Sequence, residues 1–193
     1  MADSIIVAVA IHDSAQVFCL FLQYRCRIAN FAQLITARMF KKEDYTYQEL
    51  EFSDLTADQL YEILYLRAKV FVVEQESPCL DPDYMDQSCI HCLLYKDDHL
   101  VAYARVLPAG LQHEDVGIGR VVTTERGNGT GAFIFRRAMD VATKTFGAKR
   151  IEITAQLWVK QFYEKFGFKV TSEPFELEFR PHVTMLWEAK PSE

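Results

Sequence analysis

The sequence lacks any apolar run long enough to cross a membrane. Its most hydrophobic stretch near the start, IIVAVAI at residues 5–11, falls far short of the roughly 20 residues a spanning helix needs. A basic excess is missing too: 21 lysines and arginines face 27 aspartates and glutamates, a formal net charge of −6. That balance opposes binding to nucleic-acid phosphates and suits a cationic substrate or partner. CIHC at residues 89–92 has the interval of a metal knuckle, but no second C-x-x-C and no H-x-x-x-H completes a tetrahedral site. The stretch therefore reads as buried thiols on a strand, and no metal is expected. The five cysteines, Cys19, Cys26, Cys79, Cys89 and Cys92, are odd in number with no secretory signal ahead of them, which points to reduced thiols in a cytoplasmic protein. Repeats and low-complexity tracts are also absent. What remains is 193 residues, 50% hydrophobic and 13% aromatic, enough for one core.

Charge divides the chain. Residues 1–42 carry five lysines and arginines against two aspartates, with no acid at all over 14–42, whereas residues 43–193 carry 16 basic against 25 acidic side chains. The first part reads as a poorly ordered N-terminal extension, with Met39 as an alternative start and an organelle transit segment as the competing reading. The second reads as one domain. Residues 53–75, SDLTADQLYEILYLRAKVFVVEQ, offer Asp54 or Thr56 as an N-cap and apolar residues at helical spacing, predicting a helix that ends between Val70 and Val73. Residues 76–86, with two prolines and four acids, predict a loop. HCLLY and HLVAYARVL, joined by KDD, predict a hairpin, and VGIGRVVTT a third core strand. Further on, RIEITAQ reads as a strand, WVKQFYEKF as a short helix, and FKVTSE and HVTMLWEA as closing strands. The class is α/β (α+β).

Between the third strand and the next helix lies RGNGTGAFIFRRAMDVA, residues 126–142. Phe135, Ala138, Met139, Ala142 and Phe146 share one helical face, and Arg136, Arg137, Asp140 and Lys144 the other. A helix N-terminus leaves its first amides unpaired and carries about half a positive charge, so Gly129, Thr130, Gly131 and Ala132 can offer N–H groups to an anion. Neither familiar phosphate loop fits. A P-loop needs Lys then Ser or Thr after its last glycine, and Ala132 and Phe133 stand there; a dinucleotide fingerprint needs a third spaced glycine.

The pattern R-G-N-G-T-G at 126–131 resembles the Q/R-x-x-G-x-G/A pyrophosphate loop of the GNAT superfamily of acyl-CoA-dependent N-acetyltransferases. LRAKVFVVEQ, PCLDPDYMD, IH at 90–91, AYARVL, IGRVV, AQ at 155–156, FYEKFGF and PHVTM, in order across residues 49–188, resemble its ElaA-type branch. The resemblance implies a GNAT fold, a mixed central sheet with flanking helices and a splayed strand pair forming the acyl-CoA cleft. It implies acetyl-CoA as cosubstrate, its pyrophosphate held by Arg126, Gly127, Asn128, Gly129, Thr130, Gly131 and Ala132. Main-chain groups of Val121, Val122 and Thr123 would pair with the pantetheine arm, the Val121 N–H facing the thioester carbonyl; an ordinary strand with every amide bonded inside the sheet is the alternative. Gln156 stands where the family usually has Asn, against the pantetheine amides.

The resemblance also implies an N-acetyltransferase acting on a primary amine of a small molecule or peptide. Tyr163 in FYEKFGF matches the tyrosine beside the thioester sulfur: an acid for the departing thiolate, or else a packed core ring. Glu74, His91 and His182 are the candidates to deprotonate the amine, each histidine reading equally as a structural residue. No cysteine occupies a nucleophile position, so transfer is direct. Arg120, inside an apolar strand, either binds an anionic substrate group or pairs with an acid such as Glu152. Asp81, Asp83 and Asp86 either attract a cationic amine or are solvated loop acids. One departure stands out. The family's E-D-G-I-P-H is E-L-E-F-R-P-H here, residues 176–182, with Phe179 and Arg180 altering freedom and charge beside the acceptor cleft. A catalytically silent acyl-CoA-binding module is the alternative function.

Overall fold

The computed structural model describes residues 40–190, so the expected extension lies outside the described residues except for 40–42. Among the described residues eight strands form one sheet in the order β1-β2-β3-β4-β5-β8-β6, with β7 paired to β8. They are β1 (Thr46–Glu51), β2 (Ile90–Lys96), β3 (His99–Leu107), β4 (Val116–Thr123), β5 (Arg150–Gln156), β6 (Lys169–Val170), β7 (Phe175–Leu177) and β8 (Arg180–Glu188). All neighbours run antiparallel except β4 and β5. This is the expected mixed α/β architecture.

The β2–β3 hairpin turns at Asp97 and Asp98, both at positive φ, 49° and 61°, the backbone that two-residue hairpins require and that aspartate tolerates. Helix α1 (Ala57–Arg67) starts at Thr56, whose side chain accepts from the Gln59 amide while Gln59 caps back, a complete capping box. Its turns then widen into a π-helical stretch over Ala68–Glu74 rather than stopping. Helix α2 (Thr130–Lys144) packs its apolar stripe, Ile134, Phe135, Ala138, Val141 and Ala142, on one face of the sheet. Gly147 at φ 65° ends that segment. Helix α3 (Lys160–Glu164) follows β5.

The sheet thus has a core on each face. Under α2 lie Ala102, Ala104, Ile118, Ile151, Ile153, Val183 and Met185. On the other face Ile63, Leu66 and Val70 cover Leu93, Tyr103 and Val122. Phe135 is the largest fully buried apolar side chain of the first core, edge-on to Tyr163 and Phe166 at 4.9 and 4.8 Å; truncation to alanine would cost about 3–5 kcal/mol. β1 and β7 have no counterpart in the sequence reading. Cys89 and Cys92 are buried thiols, and burial pushes each up to about 12. Among the described residues no helix is long and apolar enough to cross a membrane.

Candidate active site

The glycine turn joins β4 to α2. Gly127 and Gly129 sit at φ 77° and 103°, backbone that side-chain-bearing residues rarely adopt. Glu125 braces the turn: its carboxylate accepts from Tyr45 Oη, from Lys96 Nζ at 2.8 Å and from Asn128 Nδ2 at 3.0 Å. Partial burial works against that charge, but the hydrogen bonds from Lys96, Tyr45 and Asn128 outweigh it and lower the Glu125 pKa. Asn128 Oδ1 accepts the Thr130 amide at 3.0 Å. Of the four amides expected to face an anion, that of Thr130 is therefore capped from within, and those of Gly131 and Ala132 in the first turn remain without an intrahelical acceptor. Asn128 thus shapes the turn with its side chain. A Cβ at Gly131 would meet only Thr123 Cγ2, at 3.6 Å, an ordinary contact.

Beside the turn, β4 departs from a regular strand twice. On its β3 side the register runs Arg105↔Gly119 and then Tyr103↔Val122, so three steps on β4 oppose two on β3. The extra residue makes a bulge at Arg120 and Val121, with Arg120 at φ 52°. On its β5 side β4 pairs only through Val116↔Ile151 and Gly117↔Glu152. From Ile118 onward the two strands part, leaving the β4 edge that carries Val121, Val122 and Thr123 unpaired with β5. The ordinary central strand weighed as the alternative is absent.

Across the opening, the end of the π-helical stretch brings Glu74 into an ion pair with Arg126 of the turn. Gln156 does not stand free: its amide donates to Gln75 Oε1 at 2.9 Å and its oxygen accepts from Trp158 Nε1 at 2.8 Å. Gln75 also accepts, through its main-chain oxygen, from the Arg180 guanidinium, and Ser77 Oγ donates to the Glu178 carbonyl at 3.0 Å. These bonds tie the tip of the β7–β8 hairpin to the segment after the π-helical stretch. That tip, Glu178 and Phe179, has φ 50° and 62°, unusual for a phenylalanine, and leaves the Phe179 ring exposed. His182 lies opposite Gln156 across β5 and β8; its Nδ1–H donates to the Arg180 carbonyl at 2.9 Å, so Nε2 carries the lone pair in the neutral ring. Glu74, Arg126, Gln156 and His182 thus belong to one connected region.

Tyr163 projects from α3 against Phe135, Phe162 and Phe168, at ring distances of 4.9, 5.1 and 6.4 Å. Its hydroxyl has no hydrogen-bond partner among the described residues, and burial pushes its pKa up to about 12.

His91 belongs elsewhere. It is fully buried, Nδ1 accepting from Tyr103 Oη at 2.8 Å and Nε2–H donating to the Asp86 carbonyl at 3.0 Å. Burial lowers its pKa. Both nitrogens are occupied, so the ring has neither a lone pair nor a proton to offer a substrate; it acts as a structural histidine.

The three loop aspartates are all engaged by arginines, with Asp81 and Asp86 buried and Asp83 partly exposed. Arg67 Nε binds Asp81 at 2.7 Å and Arg67 Nη1 binds Asp86 at 2.9 Å. Arg105 grips Asp83 and Asp86, both at 2.7 Å. Arg120 Nε binds Asp81 Oδ1 at 2.7 Å and its Nη2 reaches the Asp81 carbonyl at 3.0 Å. Three guanidinium groups and three carboxylates balance in a cluster joining α1, the loop, β3 and β4, buried except for the partly exposed Asp83 and Arg120. Burial alone would raise the Asp83 pKa, but the bonds from Arg105 win and bring it to about 2; Asp86 is also lowered, against its burial, by Arg67 and Arg105. Arg120 therefore has its partner in Asp81, and Glu152 lies 3.3 Å from His113 instead. Sequence reading missed Arg67, Arg105, Gln75 and Glu125. The available signal was an arginine in each of three apolar segments matched by three acids in one loop.

With that geometry in hand, comparison with known proteins is consistent. A model of the acetyltransferase (GNAT) domain matches residues 41–189. ElaA of Escherichia coli K12 is 38% identical over 143 residues, 72% of this chain and 94% of that protein. The E. coli ElaA crystal structure superposes with a TM-score of 0.70, covering 75% of this chain and 99% of that one. A crystal structure described as an acyl-CoA N-acyltransferase from Pseudomonas aeruginosa, 32% identical, has the same TM-score over 74% and 98%. A parted β4–β5 pair, a bulge beside the parting, a glycine turn opening a helix and a family match over most of the length agree: the chain belongs to the GNAT acetyltransferase family.

Proposed function

We infer that this protein moves an acetyl group from acetyl-CoA directly to a primary amine of a small molecule or peptide. The observation that carries the reading is the opening between β4 and β5, flanked by a bulge and a glycine turn. In this reading the diphosphate lies on the Gly131 and Ala132 amides with Arg126 beside it, and the pantetheine arm pairs along Val121, Val122 and Thr123. The amine nitrogen attacks the thioester carbon, the carbonyl oxygen gains charge facing the Val121 N–H, and the C–S bond breaks as the C–N bond is completed. An alkyl amine of pKa about 10.4 is almost wholly protonated at neutral pH, so its proton leaves through Glu74 or the Nε2 of His182, directly or by water. Tyr163 donates to the departing sulfur. Gln156, held by Gln75 and Trp158, orients the pantetheine side of the opening. The catalytic domain is residues 43–193, with 1–42 an extension, and the reaction is cytoplasmic.

The test is to titrate acetyl-CoA calorimetrically and then follow free thiol against a panel of polyamines, amino acids and peptides. Binding with amine-dependent thiol release is the expected result. Binding with no release across the panel would favour an acyl-CoA-binding module, and no binding would overturn the reading altogether.

A further inference from the structure

The β4 bulge raises a question the family match does not answer: what holds an arginine in left-handed backbone inside a sheet? Arg120 lies at φ 52°, a region that costs a side-chain-bearing residue free energy unless its surroundings fix it. Its side chain supplies the anchor. Nε donates to Asp81 Oδ1 at 2.7 Å, and Nη2 reaches both the Asp81 carbonyl at 3.0 Å and Asp83 Oδ2 at 3.3 Å. Asp81 is itself immobilised: 5% exposed, it takes Arg67 Nε on its other oxygen. Asp83 is gripped by Arg105 from β3, the strand against which the register slips. The arginine in the bulge is thus wired to both its neighbouring strand and α1.

We propose that Arg120 and Asp81 are positioning residues for acyl transfer: their ion pair fixes the bulge, and the bulge aims the main chain of Val121 and Val122 at the thioester. Neither side chain touches substrate. The inference rests on the functional reading above, because it takes the cofactor to lie along β4. It also accounts for the polar cluster. A network of three arginines and three aspartates is a poor source of stability compared with apolar packing of the same volume, but it is well suited to holding one backbone geometry.

The test separates backbone geometry from loss of charge. Arg120→Gly and Arg120→Asn remove the guanidinium yet tolerate left-handed backbone; Arg120→Ala and Arg120→Val remove it and disfavour that backbone. The expected result is kcat for thiol release reduced about tenfold or more in the Ala and Val variants, and within about threefold of wild type for Gly and Asn. KM for acetyl-CoA changes less than kcat. Equal kcat values across the four, or Gly and Asn below Ala and Val, would overturn the proposal, since a merely structural ion pair predicts equal losses. Two members in each class keep the comparison usable if one fails to fold. Hydrogen exchange of the 120–122 amides gives a second readout without turnover: wild-type-like in Gly and Asn, altered in Ala and Val. Indistinguishable exchange in all four overturns the inference, whereas wild-type protein that takes up no acetyl-CoA sinks the functional reading instead.

Discussion

Replacing Tyr163 with phenylalanine removes one oxygen and little else. The ring stays packed on Phe135 at 4.9 Å and Phe162 at 5.1 Å, and the lost hydroxyl has no partner among the described residues, so no internal hydrogen bond is broken. Thermal stability should be nearly unchanged, because the side chain is only partly buried and no internal hydrogen bond is lost. Turnover should fall. The magnitude follows from burial: with its pKa pushed up to about 12, the phenol is a weaker acid than in water. Passing its proton outright to a thiolate of pKa about 8.5 is therefore uphill. Under the proposed function Tyr163 would thus work as a hydrogen-bond donor to the developing sulfur anion. Loss of one donor to an oxyanion costs about 100- to 1,000-fold in kcat, and a diffuse sulfur acceptor gains less, so we expect a tenfold to hundredfold drop. The assay is thiol release at saturating acetyl-CoA from pH 6 to 10. The alkaline side of that profile should show no ionisation that disappears in the variant, since Tyr163 keeps its proton throughout. A variant with wild-type kcat would remove the residue from the chemistry.

Gly129→Ala should weaken acetyl-CoA binding about fivefold or more by calorimetry, since φ 103° is strained for alanine by about 1–3 kcal/mol, whereas Gly131→Ala should leave it nearly unchanged. Tyr103→Phe strands the buried His91 Nδ1 without its donor, at a cost of about 1–3 kcal/mol, which calorimetric melting should report as a fall of roughly 3–10 °C. Stability to urea should hold above about pH 4 and decline as the pH falls through the lowered folded-state values of Asp83, about 2, and Asp86. The sign follows from the unfolded chain binding protons first. Asp83→Asn should flatten part of that decline; an unaltered slope would show that the ion pairs with Arg105 and Arg120 carry none of it.

Periodicity made much of the fold readable. The apolar stripe of α2, the aspartate turn of the hairpin and the glycine stops each rest on a local rule. What escaped has no local signature. TYQELE in β1 mixes polar and apolar residues at a sheet edge, and β7 is three residues whose pairing is set by β8. The π-helical extension past Arg67 is one turn geometry continuing another. The bulge was hidden because IGRVV reads as a continuous apolar run; only Arg120 interrupts it, and its partner is 39 residues away. His91 shows the opposite failure, a residue of the right chemistry in a family-like motif whose two nitrogens are consumed by Tyr103 and Asp86. At the glycine turn, residue type pointed to the anion, but which amides remain free depended on where the Asn128 side chain folds back.

The two residue pairs joining β4 to β5 make a seam through the middle of the molecule. The core under α2 bridges the two halves, and whatever fills the cut adds to that lateral strength. Under the proposed function that filler is the cofactor arm, behaving as a ninth, non-peptide strand. The ligand would then be a keystone as well as a reagent, and each round of release would return the molecule to its most easily separated form.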